Sequence, residues 1–465
     1  MSAGSKNNGT GAAEPVEPTT TNPKAAPATD LNQAAAGPDS PSGLTKTQGN
    51  DKPSSPGLIQ QMLASSWLVV VGAIVVALVV GAILIAAADQ AVQEAAGYFF
   101  ARPGDLFTAA WSVVSDSYAA LFRGAVINYQ ADSWDAMIRP LTITLQESAP
   151  LILAGLGLAV GFRAGLFNIG AKGQILLGAT LCAIISFKLG LPPVIHPLAC
   201  LIGAIAGGAA WGFIPGILKA KTGANEVIVT IMLNAIAGFL VLHLLTLKPM
   251  QRPGSNNPQA PLANDSALFG RLFGDRFPTD FGFVLALLAV LFTWWLLERS
   301  TLGFRLKAVG ANPAAARSAG MNVNTTFIWV MVISGGLAGA AASTKLLAAS
   351  GAMSLSANVA ATYGFDAITV ALLGRSKPLG TALAGLLFGA FRAGGSVMYA
   401  TTATPIDIVL VVESIIVLMI AAPPLVRAIF RLPDAERAAR REAKQAARQA
   451  ASQADPAAQT QEVAQ

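Results

Sequence analysis

The residues able to do chemistry in this chain are ionisable and amide side chains set inside apolar runs. Glu226, Thr230 and Asn234 stand at i, i+4 and i+8 of EVIVTIMLN, so on a helix they share one face. Asp366 lies in TYGFDAITVALLG, Arg392 in FGAFRAGG and Glu413 in VLVVESIIVLM. At bilayer depth such groups face the bundle interior or a wet cavity, where they line a pathway or bond neighbouring helices. Glu226, Thr230, Asn234 and Asp366 are read as pathway candidates, with interhelical bonding as the alternative. Counted from opposite helix ends at about 1.5 Å per residue, Arg392 and Glu413 reach similar depths. They are expected to form a structural ion pair, because an isolated charge there is costly.

Other chemistries lack their residues. HExxH, CxxC and Gly-x-Ser-x-Gly are absent, and so is GxxxxGK followed by Ser or Thr. No metal site is expected, and an intramembrane enzyme ranks last for want of a nucleophile–base pair. Cys182 and Cys200 lie in or beside apolar runs without metal-ligand spacing and read as buried free thiols. The formal net charge of +6 comes from basic residues spread over short loops and the C-terminal tail, which points to a cytoplasmic membrane face and not to nucleic acid.

The elements that carry these groups are membrane spans. Of 465 residues 53% are hydrophobic and only 12% charged, about half the charge of an average soluble domain. Apolar runs of about 20 residues recur, as helical spans require. The fold class is an all-α polytopic membrane protein with about ten transmembrane helices in two loosely related halves. The spans are expected at Trp67–Ala88, Pro140–Gly161, a third ending near Leu189, Leu198–Leu218, Glu226–Leu247, Phe281–Leu297, Thr325–Lys345, a short Tyr363–Leu373, Leu379–Met398 and Pro405–Ala422. Residues 1–56 are expected to be a disordered N-terminal tail, since they hold few large apolar groups. Residues 57–432 form the transmembrane domain and 433–465 a cytoplasmic C-terminal tail. Ten spans put both termini on one side, and the basic short loops make that side cytoplasmic.

Two stretches depart from the span pattern. Between Gly161 and Gly178, GFRAGLFNIGAKGQILLG sets five glycines among Arg163, Asn168, Lys172 and Gln174. Such a break survives at membrane depth only where protein or water surrounds it, and in transporters it often marks where substrate is handled. A tight turn of small residues is the alternative. The short eighth span falls at the matching place in the second half. Before the second span, Phe107, Trp111, Val114, Tyr118, Leu121 and Phe122 recur at helical spacing. They predict an interfacial helix anchored by Trp111 and Tyr118, or one packed on the other spans. Gly335 and Gly339 have GxxxG spacing, which favours close helix contact.

Four blocks in order carry a family resemblance: GLFNIGAKGQ (165–174), NEVIVTIMLN (225–234), LKAVGANPAAARSAGM (306–321) and GFDAITVALLG (364–374). Together they resemble permease subunits of bacterial ABC importers, nearest the nucleoside branch of the simple-sugar and ribose permease family. The resemblance runs from about Leu141 to Pro424. Lys172 departs from it, because the family usually has an acidic residue there. The resemblance implies a permease in a bacterial plasma membrane that pairs with a second permease subunit. A cytoplasmic ATPase subunit would hold the ATP, an extracellular lipid-anchored binding protein would deliver substrate, and this chain would bind no cofactor. It also implies that Lys307–Met321 couples to the ATPase, through Lys307, Gly310, Asn312, Pro313, Ala316, Arg317 and Gly320. Composition fits a short helix there: Asn312 as cap, Pro313 at the first helical position, Gly320 as stop. For a nucleoside or related sugar, Asn168, Gln174 and Asn234 join the pathway candidates, because their amides bond hydroxyls or a base edge. The competing reading is a secondary transporter using Glu147, Glu226, Asp366 and Glu413 as proton or ion sites.

Overall fold

The computed structural model describes residues 66–360, 362–405 and 407–429; the tails expected at 1–56 and 433–465 lie outside the described residues. Within them the protein is helical and contains no β-strand. Eight helices are long and apolar enough to cross a membrane: α1 (Ser66–Ala88), α4 (Trp134–Arg163), α5 (Ala171–Lys188), α6 (Ile195–Thr222), α7 (Glu226–Thr246), α8 (Phe281–Arg299), α11 (Val323–Leu346) and α13 (Pro378–Thr402). Two shorter apolar helices, α12 (Tyr363–Leu373) and α14 (Asp407–Ala421), account for the other expected spans. The remaining helices are α2 (Gln90–Gly97), α3 (Pro103–Ala125), α9 (Thr301–Ala311), α10 (Pro313–Ser318) and α15 (Pro423–Ile429).

The bundle is built around α4, whose residues Leu151–Val160 form an unbroken buried run. The helix starts earlier than expected, at Trp134, because Ser133 caps it by accepting from the Ala136 amide at 3.3 Å. Pro140 and Pro150 lie inside the helix, as membrane helices allow when neighbours satisfy the freed carbonyls. Helices α6 and α11 cross backbone to backbone. A Cβ on Gly208 would stand 2.2 Å from the Gly335 carbonyl oxygen, so only glycine permits this approach.

The helix over the predicted aromatic stretch exists, but its C-terminal half packs on the bundle. Ser117 and Thr404 share a hydrogen bond of 3.0 Å. The Tyr118 hydroxyl donates to the Leu78 carbonyl of α1, so Tyr118 serves as a tie between helices and not as a headgroup anchor. Phe107 and Trp111, in the outer half, stay exposed.

The long segment between α7 and α8 is tied to α11, α5 and α4 along its length. The Phe269 amide donates to the Leu347 carbonyl at 2.8 Å, the Asn264 amide to Ser186 at 3.1 Å, and the Thr279 hydroxyl to Thr142 at 2.8 Å. It ends on Asp280, which caps α8 by accepting from the Gly282 amide at 2.9 Å and also accepts from Ala349 at 3.3 Å. Burial pushes the Asp280 carboxyl up to about 6, against the opposing pull of these amides and of Lys345.

The unfolded value is near 3.9, so the folded state holds this proton more tightly. The resulting stability is therefore fully present below about pH 4 and is lost as pH rises through about 6. Asp280→Asn keeps an acceptor for Gly282 and removes the titration. It should flatten the pH dependence of thermal unfolding between pH 4 and 7, a span worth about 2–3 kcal/mol. An unchanged slope in the variant would assign the pH dependence elsewhere.

Candidate functional site

The helical ladder stops at Arg163 and resumes at Ala171, leaving 164–170 as irregular backbone in which Ala164, Leu166, Asn168 and Gly170 are buried while Gly165 and Phe167 are exposed. Gly165 sits at φ +72°, a left-handed conformation that starts the turn. Asn168 is fully buried. Its Nδ2 donates to Ser334 Oγ at 2.8 Å and to Gln174 Oε1 at 3.1 Å, while its Oδ1 accepts from the Gly170 amide at 2.8 Å. From α7, Asn234 Oδ1 accepts from the Gly173 amide and Nδ2 donates to the Ile169 carbonyl, both at 2.8 Å. Thr230 Oγ1 accepts from the Ile169 amide at 3.3 Å.

The structure thus brings Asn168, Gln174, Thr230 and Asn234 together, with their polar atoms turned onto the break itself. Glu226 shares their helix face and also takes a backbone hydrogen bond from Phe167 of the break. It lies in the first turn of α7 and pairs with Lys219 at 2.8 Å, at the corner with α6.

Beside the break runs a crevice of about 510 Å3 between α5, α7 and α12, lined by Ile169, Lys172, Ile231, Asn234, Ala235, Phe365 and Ile368. The short α12 closes one side. A Cβ on Gly364 would stand 2.7 Å from the Lys172 Cα, so the two interrupted segments noted in the sequence touch. Lys172 forms no ion pair with another described residue.

A charged network lies on the other face of α12. Lys345 Nζ donates to Glu147 Oε1 at 2.7 Å, and the Tyr363 hydroxyl donates to Glu147 Oε2 at 3.2 Å. The Arg392 guanidinium stacks 4.2 Å over the Tyr363 ring and pairs with Asp366. The expected Arg392–Glu413 pair is therefore corrected. Depth along a helix fixed the level of the two groups but not their direction, and Arg392 points to α12. Glu413 is 4% exposed, and its Oε1 has no partner. It lines a second cavity of about 400 Å3 together with Glu147 and Arg392. Sequence reasoning missed Lys345 and Tyr363 as members of this network; the only available signal was a lysine at the last turn of an apolar span.

At the other end of the break lies the segment 307–321. Asn312 Oδ1 accepts from the Ala314 and Ala315 amides at 3.0 and 3.1 Å, capping α10. Gly320, at φ +81°, ends it. Pro313, Ala314, Ala315 and Arg317 are exposed, while Ala316 is buried against Val309 and Val323. Lys307 is held by Glu298 at 2.7 Å. A Cβ on Gly310 would stand 2.4 Å from the Arg163 carbonyl oxygen, so α9 rests directly on the start of the break. Arg163 Nε donates to the Ser376 carbonyl at 3.0 Å, adding the α12–α13 corner to this meeting point.

A family model described as branched-chain amino acid transport system / permease component matches residues 141–422. The guanosine ABC transporter permease protein NupP of Bacillus subtilis is 36% identical over 68% of this chain and 87% of its own length. The glucose ABC transporter permease protein TsgB13 of Haloferax volcanii is 36% identical over 60% of this chain and 75% of its own. The nucleoside ABC transporter permease protein NupB of Lactococcus lactis is 35% identical over 64% and 83%. No solved structure matches the chain. The chain belongs to this family of ABC transporter permeases and is a multi-pass membrane protein. Membership overturns the ion-coupled alternative, because the relatives are permeases of ABC transporters.

Replacing Asn234 with Ala strands the Gly173 amide and the Ile169 carbonyl inside the bundle, at roughly 1–3 kcal/mol each. The apparent Tm of the detergent-purified chain should fall by several degrees. Ile231→Ala, on the exposed wall of the same crevice, should leave it nearly unchanged. Equal stability of the two variants would remove Asn234 from the support of the break.

Proposed function

We propose that this chain is a translocation subunit of an ATP-driven importer of nucleosides, in the plasma membrane with both termini cytoplasmic. The observation that carries this reading is the 36% identity to a guanosine permease across most of both chains. A second relative named for nucleosides supports it. The glucose permease keeps a simple sugar as the competing substrate.

The permease carries no nucleotide-binding loop of its own, so hydrolysis falls to a cytoplasmic ATPase partner. Helix α10 suits docking on that partner. Its cap is satisfied internally, three of its first four residues and Arg317 face outward, and Ala316 fixes it to the bundle. Lys307 is occupied by Glu298, which leaves Arg317 as the polar handle. Force applied at α10 reaches α9, and through the Gly310 contact the break at 164–170. The crevice along α5, α7 and α12 is the pathway wall in this reading. Asn168, Gln174 and Thr230 hold its shape, and Asn234 and Lys172 border it. A second permease subunit supplies the facing wall, and an extracellular lipid-anchored binding protein supplies selection.

Deleting the chain should abolish uptake of labelled guanosine and uridine, and returning it should restore both. Collapsing the proton gradient with ATP maintained should spare that uptake. Nucleoside uptake that persists without the chain would move the substrate toward a sugar. Separately, Asn312→Ala combined with Arg317→Glu should leave the chain in the membrane while the ATPase no longer co-purifies. Normal co-purification would sink the docking role of α10.

A further inference from the structure

The crevice beside the break offers a solute few hydrogen bonds. Ile169, Ile231, Ala235, Phe365 and Ile368 give it apolar walls, and Ile231 and Phe365 are exposed. Asn234 lines it too, but its Oδ1 already holds the Gly173 amide and its Nδ2 the Ile169 carbonyl. The Ile169 amide is taken by Thr230.

Lys172 differs from the rest of the wall. It is half-buried in the first turn of α5, and its ammonium has no hydrogen-bond or ion-pair partner among the described residues. Its own helix does not compensate the charge. The first turn of α5 holds no acidic residue, and a helix N-terminus disfavours a cation. An ammonium only donates, so a solute in the crevice meets donors at Lys172 and apolar surface around them.

That pairing selects among ligands. A hexose brings hydroxyls all around its ring, and most would be left unpaired against these walls. A phosphate brings several strong acceptors, and one lysine leaves the others facing isoleucine. A purine brings flat faces that stack on an aromatic ring. Guanine sets two acceptors, O6 and N7, side by side on one edge, where lysine pairs with them. Adenine keeps N7 but carries an amino donor in place of O6.

We propose that Lys172 is a specificity-determining residue of the permease. It reads the acceptor edge of an oxopurine nucleoside, while Phe365 and the isoleucines take the faces of the base. This rests on the nucleoside reading and deepens it, because it places a purine preference in the membrane chain itself.

The test uses cells that lack the chain, to which wild type or a variant is returned. It reads the chain-dependent initial uptake of labelled guanosine, 7-deazaguanosine (which has a C–H in place of N7) and adenosine. All other subunits are common to the strains, so any preference of a binding protein cancels between them. Each ratio is taken within one strain, so differing amounts of folded chain cancel as well. Lys172→Met should lower the ratios of guanosine to 7-deazaguanosine and to adenosine by about fivefold or more, the discrimination expected of one such base contact. Lys172→Arg keeps a donating cation and should hold both ratios within about twofold of wild type. Lys172→Glu is favourable at a helix N-terminus and cannot donate to N7, so it should show the same loss of N7 preference even where the Met variant does not assemble. A merely structural lysine would lower all three uptakes together and leave the ratios alone. Wild-type ratios in the Met and Glu variants overturn the assignment of Lys172; with guanosine uptake still dependent on the chain, only that assignment falls. If wild type itself gives no chain-dependent nucleoside uptake, the nucleoside reading falls with it.

Discussion

Backbone groups at 164–170 leave the helical ladder, and the buried ones need partners that lipid cannot offer. The side chains around them are chosen for that need. Asn168 closes the turn onto Gly170, Gln174 and Ser334, while Thr230 and Asn234 reach in from α7 to take the Ile169 and Gly173 groups. Three helices are thereby fixed relative to the break before any apolar packing is counted. The break can in turn face a crevice on one side and receive α9 on the other.

Helix α12 is the element on which these features meet. It spans roughly 16 Å, about half the hydrocarbon thickness, so it cannot be held by length alone. Gly364 rests on the backbone of Lys172, Phe365 and Ile368 face the crevice, and Tyr363 and Asp366 face the charged network. Contact is continuous from α10 through α9 to the break, and from the break to α12. A displacement at α10 therefore has a packed route to both cavities. The welded crossing of Gly208 on Gly335 gives that route a fixed frame to move against.

Much of this was legible in the residues. The apolar runs located the spans, because burial of helix in lipid needs length and little else. Asn312, Pro313 and Gly320 announced α10 through local capping chemistry, and the glycines at 161–178 announced the break. Partner choice over long sequence distance was not legible. Asn168 finds Ser334, and Arg392 turns to Asp366 in place of Glu413, because azimuth depends on how α12 packs, which no local pattern encodes. The aromatic spacing of α3 gave the helix but not the tie from Tyr118 to α1. The segment between α7 and α8 is bonded to α4, α5 and the end of α11 and caps α8, ties that no local pattern in it announces.

The Asn168–Ser334 bond also imposes an order on biogenesis. Its two ends lie 166 residues apart, and the Ile169 and Gly173 partners emerge 61 to 65 residues after the break. At about 5–20 residues per second, synthesis of α11 trails the break by on the order of ten to thirty seconds. Through that interval the nascent chain holds an incompletely bonded, amide-rich bend. It must shelter in the insertion machinery or in water at the membrane surface until the later helices arrive. The break thus acquires its last side-chain partner only when α11 arrives.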